Sequence, residues 1–76
     1  MNNTKGMKLT MTRFACKKAA QNGLTAELIK DSFEHPVYVK PNPDKEGQYQ
    51  VGGKDITFVG VPKDDSFLCI TLYGGK

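Results

Sequence analysis

The first 24 residues contain neither aspartate nor glutamate. Lys5, Lys8, Arg13, Lys17 and Lys18 give that stretch a formal charge of +5, while six lysines and all eight acids leave the remainder at −2. The overall charge of +3 therefore conceals a bipolar chain. An acid-free opening points to an anionic partner for the N-terminal third. Histidine is scarce as well, with His35 alone, and the two cysteines, Cys16 and Cys69, lie far apart. A structural zinc site needs about four nitrogen or sulfur ligands, which excludes one here. Nothing calls for a metal or any other cofactor. No apolar run approaches the roughly 18 residues of a membrane span, and Met1–Gly6 lacks the apolar stretch of a signal peptide. Without a secretion signal, Cys16 and Cys69 read as reduced, mostly buried thiols of a cytoplasmic protein, with a disulfide as the alternative.

What is present is enough for a fold. Hydrophobic residues make up 38% of the chain, with four phenylalanines and three tyrosines, too apolar for a disordered tail. Seventy-six residues make one small domain. Its expected bounds are residues 7–76, after a flexible lead over residues 1–6. A core of this size rarely yields more than about 3–5 kcal/mol.

Met7–Met11 alternates apolar and polar residues and reads as a short strand or an extended lead. Thr12 is a good N-cap, and Gly23 after Asn22 a good stop, for a first helix with a narrow face of Ala15, Cys16, Ala19 and Ala20 beside Phe14. Thr25 caps a second helix, Ala26 to about Glu34, with Leu28, Ile29 and Phe33 as its buried stripe. Pro36 ends it. Strand candidates follow at Val37–Lys40, Gln48–Val51, Ile56–Val61 and Ser66–Tyr73, separated by turn-forming stretches. Consecutive strands on short turns make an antiparallel meander. The expected fold is α+β, with two N-terminal helices packed on one face of a three- to four-stranded antiparallel sheet. In the last strand Leu68, Ile70 and Leu72 are expected to meet the helices, leaving Phe67, Cys69, Thr71 and Tyr73 on an open face. Phe58 or Tyr49 is the expected aromatic neighbour for that face.

The order of Ala15, Gly23-Leu24-Thr25, Pro36 and Ile70-Thr71-Leu72-Tyr73 resembles the RelE/ParE-like toxins of the barnase–colicin–RelE superfamily. Within that group it is similar to a family of small uncharacterised proteins whose first helix opens with His-Ala. The resemblance runs from about Leu9 to Tyr73. It implies a RelE-like fold and a toxin–antitoxin setting, with RNA held or cleaved beside the sheet. Phe14 stands where that family has histidine, Lys18 where it has a first arginine and Asn22 where it has a second. Phe14 moves no proton, and Lys18 keeps charge without the bidentate fork. The resemblance thus supports the fold more than it supports catalysis.

Arg13, Lys17 and Lys18 form a cationic cluster suited to phosphates, against the bland reading of a solvated helix face. Thr71 and Tyr73, with Phe67, offer an open sheet face on which bases stack; the bland reading is cross-strand packing. Lys18, His35 and Thr71 are weak catalytic candidates. His35 sits in a helix-end and turn context. Asp64-Asp65 and Gly52-Gly53-Lys54 read as turns rather than a carboxylate pair or a phosphate loop. The expected function is a small toxin-like RNA-binding domain, either a ribonuclease or an inactive relative of one. The alternative is a protein-binding module or inhibitor, a phage or mobile-element accessory protein that docks on an acidic antitoxin or host factor. Neither reading involves a membrane.

Overall fold

Thr12 links the first strand to the first helix and fixes both. In the computed structural model, which describes residues 3–74, strand β1 (Lys8–Met11) runs directly into helix α1 (Arg13–Gln21). The Thr12 hydroxyl accepts from the Ala15 amide at 3.1 Å, the usual N-cap bond. The same hydroxyl donates to the Ile70 carbonyl at 3.1 Å, tying the helix start to a distant strand. At the other end Gly23 takes φ 68°. The Leu24 amide then donates to the Ala19 carbonyl at 2.9 Å and the Gly23 amide to the Ala20 carbonyl at 3.1 Å, a Schellman closure. Helix α2 (Ala26–Glu34) repeats the logic, with the Thr25 hydroxyl accepting from the Leu28 amide at 3.1 Å and Glu27 in its first turn.

Strands β2 (Tyr38–Pro41), β3 (Tyr49–Gly52), β4 (Ile56–Lys63) and β5 (Ser66–Gly74) form the expected antiparallel meander. The described residues add one strand to it. β1 pairs in parallel with β5, from Lys8 opposite Ser66 to Met11 opposite Cys69. The sheet is therefore five-stranded and mixed, in the order β1-β5-β4-β3-β2. Local pattern marked Met7–Met11 as extended but held no trace of its partner, more than fifty residues on.

Both helices lie on one face. Phe33 of α2 meets Phe58 edge-on with centroids 5.6 Å apart and Phe67 at 5.7 Å. Val51, Ile56, Leu72 and Cys69 complete the buried layer, with Ala15 and Ala19 beneath α1. Those two small side chains let α1 lie close to β5. Within the 1–6 segment, Thr4 is buried and its hydroxyl donates to the Phe33 carbonyl at 2.7 Å. The expectation of a loose lead therefore does not extend to Thr4. No helix among the described residues is long and apolar enough to cross a membrane.

The expected facing of β5 is half corrected. Val59 pairs with Thr71 but its neighbour Gly60 pairs with Cys69, so Ile70 is an extra, bulged residue. A Cβ on Gly60 would collide with the Leu68 carbonyl oxygen, so only glycine allows β5 this approach. Across the bulge the alternation changes phase. Phe67 and Cys69 turn into the core together with Leu72, while Leu68 faces out and is exposed. Strict alternation through Ser66–Tyr73 instead predicts Phe67 and Cys69 outside and Leu68 inside. Thr71 and Tyr73, beyond the bulge, keep the outward side.

Candidate functional site

Among the described residues, no second layer covers the face of the sheet away from the helices. The register sets out its rows. Tyr38, Gly52, Thr57 and Tyr73 lie abreast across β2 to β5. Lys40, Gln50, Val59 and Thr71 form the next row. Val61, Leu68 and Thr10 follow, then Lys63 and Ser66 at the far end. None of the five described strands contains an aspartate or glutamate. All eight acids lie on α2 or in the loops and turns at Asp44, Glu46, Asp55, Asp64 and Asp65.

Two tyrosines dominate the first row, and each has a lysine beside it. Tyr73 is 50% exposed, and the Lys18 ammonium lies 4.9 Å from its ring centroid. Tyr38 is 40% exposed, with the Lys40 ammonium 5.2 Å from its ring. Both are cation–π contacts, worth about 0.5–1 kcal/mol at exposed sites. Tyr38 lies flat because Gly52 opposite has no side chain; a Cβ there would run into the ring. Three inter-strand steps separate the two tyrosine backbones, roughly 14 Å, with the small residues Gly52 and Thr57 as the floor between them.

The structure divides the expected cationic trio. Lys18 is half-buried against Tyr73, at the edge of the open face. Arg13 and Lys17 are exposed. At 100° per residue they lie on the side of α1 opposite Ala15 and Ala19, which points them to solvent. Phe14, one turn before Lys18, is 59% exposed on the same flank. Thr71 is half-buried between Val59 and the edge. His35 is exposed and pairs at 4.0 Å with Asp31, itself exposed, one turn back on α2.

Asp64 takes φ 57° in the β4–β5 turn. With Asp65 it borders a shallow depression of about 260 Å³ that also touches Thr10, Ser66 and Leu68. Gly52-Gly53-Lys54 is a turn between strands, closed by the Gly53 amide donating to the Ile56 carbonyl at 2.7 Å. No three His, Cys, Asp or Glu side chains come together among the described residues.

Three other expectations change. Cys16, expected to be buried, is exposed, because it lies off the Ala15–Ala19 stripe. Cys69 is fully buried and donates to the Thr71 carbonyl at 3.1 Å; burial pushes its thiol up to about 11. Neither Phe58 nor Tyr49 joins the open face, since Phe58 is core and Tyr49 packs against it. The aromatic neighbour is Tyr38. Its signal was in the sequence: alternation in Val37–Lys40 puts Tyr38 and Lys40 on one side and Val39 on the other. No protein-family model, curated protein or solved structure matches the chain.

Proposed function

We propose that the open sheet face binds single-stranded RNA, with Tyr73 and Tyr38 as stacking platforms and Lys18 and Lys40 as their phosphate contacts. One observation carries this reading: the strands hold no carboxylate while presenting lysines and two exposed tyrosines on one face. Stacking accepts any base and lysine accepts any phosphate, so such a surface grips a strand without reading its sequence. Thr71, Thr57 and Gln50 add hydroxyl and amide groups within the same two rows. Arg13 and Lys17 contribute long-range attraction from the outer side of α1.

The likeness of the sequence order to RelE/ParE-like toxins agrees with this placement of the site. The reading favours holding RNA over cutting it. Phe14 replaces the family histidine, and the strands of the face bring neither histidine nor carboxylate to act as a base. A ribonuclease-like activity would need its base from outside these strands, from His35 or from the substrate itself.

Homopolymeric RNA titrated at low salt tests the proposal. Affinity should fall steeply with salt, with a log–log slope of about 0.7 per phosphate neutralised. Tyr73→Ala and Tyr38→Ala should each cost about 1–3 kcal/mol of binding. Arg13→Ala with Lys17→Ala should lower the salt slope more than the affinity at fixed salt. A wild-type chain that ignores RNA at low salt overturns the proposal. Exposed Phe14 and Leu68 favour a second reading, in which an acidic protein docks on the same face. Its mark would be a one-to-one complex that Phe14→Ser and Leu68→Ser abolish.

A further inference from the structure

On the helix side of the sheet, α1, α2 and β1 enclose an open groove of about 810 Å³. Leu9, Met11, Leu24, Ile29 and Phe33 line it. On the α1 wall stand Cys16 and Ala20, side chains too short to close the space toward α2. Leu9, Met11 and Leu24 consequently remain only half-buried. The size and apolar lining are those of small-molecule sites, which hold only a few polar groups. Methionine at the wall adapts readily to an apolar guest.

Those polar groups are unequal in sign. Lys8, Lys30 and Glu34 border the groove. Both lysines are exposed, and neither lies within 4.0 Å of a carboxylate among the described residues. The rim is thus net positive around an apolar interior. That pairing fits an amphipathic anion better than a neutral hydrocarbon or a cation.

We propose that this groove binds a free alkyl carboxylate, with its tail against Leu9, Ile29 and Phe33 and its carboxylate at Lys30. Lys8 adds to the positive rim. The site lies across the sheet from Tyr38 and Tyr73 and shares neither tyrosine with the RNA reading.

Cys16 supplies a built-in reporter. It is exposed and lines the groove, whereas Cys69 is fully buried, so a thiol reagent acting on the folded chain reads Cys16. The experiment titrates the full chain with dodecanoate below its micellar concentration, following calorimetric heat and the rate of Cys16 labelling. One-to-one saturable binding that slows the labelling is expected. Shortening the tail should weaken binding about fourfold per methylene, the fold-change for one more buried CH₂. Dodecanol, with the same tail and no charge, should bind about fivefold more weakly, as should dodecanoate to Lys30→Glu, the size of an exposed ion pair. Ala20→Phe should fill the groove and abolish binding; Ala20 is exposed, so circular dichroism should show an unchanged fold.

No saturable binding, or binding without protection of Cys16, overturns the proposal. So does equal affinity for dodecanol, or Lys30→Glu binding dodecanoate as wild type does. The last two arms stand whether or not Ala20→Phe folds. Retention on phosphatidylcholine vesicles with no affinity for free dodecanoate would also overturn it, making the groove a membrane contact instead.

Discussion

The two faces of the sheet are made from alternate residues of the same strands, yet they have opposite characters. The covered face is a continuous apolar layer, Val51, Ile56, Phe58, Phe67, Cys69 and Leu72, all fully buried under the helices. The open face mixes Lys40, Gln50, Thr57, Thr71 and two half-exposed tyrosines with a few aliphatic side chains. Most of the buried apolar side chains lie on the first face, and a chain this small has little other burial to draw on. The second is thereby free to vary without loss of fold, and that is where binding chemistry is affordable. Side-chain identity should therefore matter to stability on one face and to partners on the other.

Truncating one aromatic on each side tests this division most severely. Phe33 sits against both Phe58 and Phe67 and is nearly inaccessible. Phe33→Ala should cost about 3–5 kcal/mol, as much as a core of this size usually supplies, and leave the chain largely unfolded by circular dichroism at 25 °C. Tyr73→Ala should stay folded and cost no more than about 1 kcal/mol, the size of its exposed cation–π contact. If the two variants lose similar stability in urea titrations, the open face is structural and the contrast fails.

Cys69 gives a pH version of the same test. Its thiol is held up to about 11 from 9.0, chiefly by burial, so the folded state resists forming the thiolate. The unfolded chain releases that proton above pH 9 while the folded chain keeps it. Stability from this group is therefore constant below pH 9 and falls between pH 9 and about 11. The loss should reach about 2–3 kcal/mol. Urea midpoints of wild type and Cys69→Ala, measured from pH 8 to 11, should show the excess slope in wild type alone. Equal slopes would mean that water reaches the thiol.

Gly60 tests what sets the facing of β5. Gly60→Ala puts a Cβ into the Leu68 carbonyl and should cost about 1–3 kcal/mol. The bulge should shift or vanish, exposing Cys69 to thiol reagents that do not reach it in wild type. Unchanged labelling with unchanged stability would show that β4 and β5 can part without disturbing the register.

These positions also show where sequence reading succeeds and stops. Caps at Thr12 and Thr25, the stop at Gly23 and the break at Pro36 are local chemistry, and the helices appear where that chemistry puts them. The strands of the meander follow the same way. The parallel pairing of β1 does not, because Lys8–Met11 says nothing of Ser66–Cys69. The facing of Phe67, Cys69 and Leu68 fails for a related reason. A bulge is a property of two strands, and its cause, Gly60, lies on the other one. Of the candidate site, Tyr73 and Thr71 were legible by alternation. Tyr38 is legible by the same alternation, whereas the separation of Lys18 from Arg13 and Lys17 depends on which edge of α1 meets β5.

The smallest effect compares the two helix caps. Thr12 and Thr25 each accept one bond from a first-turn amide at 3.1 Å. Losing that bond to alanine costs typically about 1 kcal/mol. Thr12 also donates to the carbonyl of Ile70, the residue that the bulge leaves unpaired with β4. Its hydroxyl thus holds the helix start and the irregular point of β5 at once. Thr12→Ala should exceed Thr25→Ala by about 0.5–1.5 kcal/mol, the net value of one more hydrogen bond. Thr12→Ser keeps the hydroxyl and should recover most of the difference. Equal costs for the two alanine variants would mean that the bulged carbonyl finds water when Thr12 is cut back, and that the helix cap alone, not its tie to β5, fixes the seam between the covered layer and the open face.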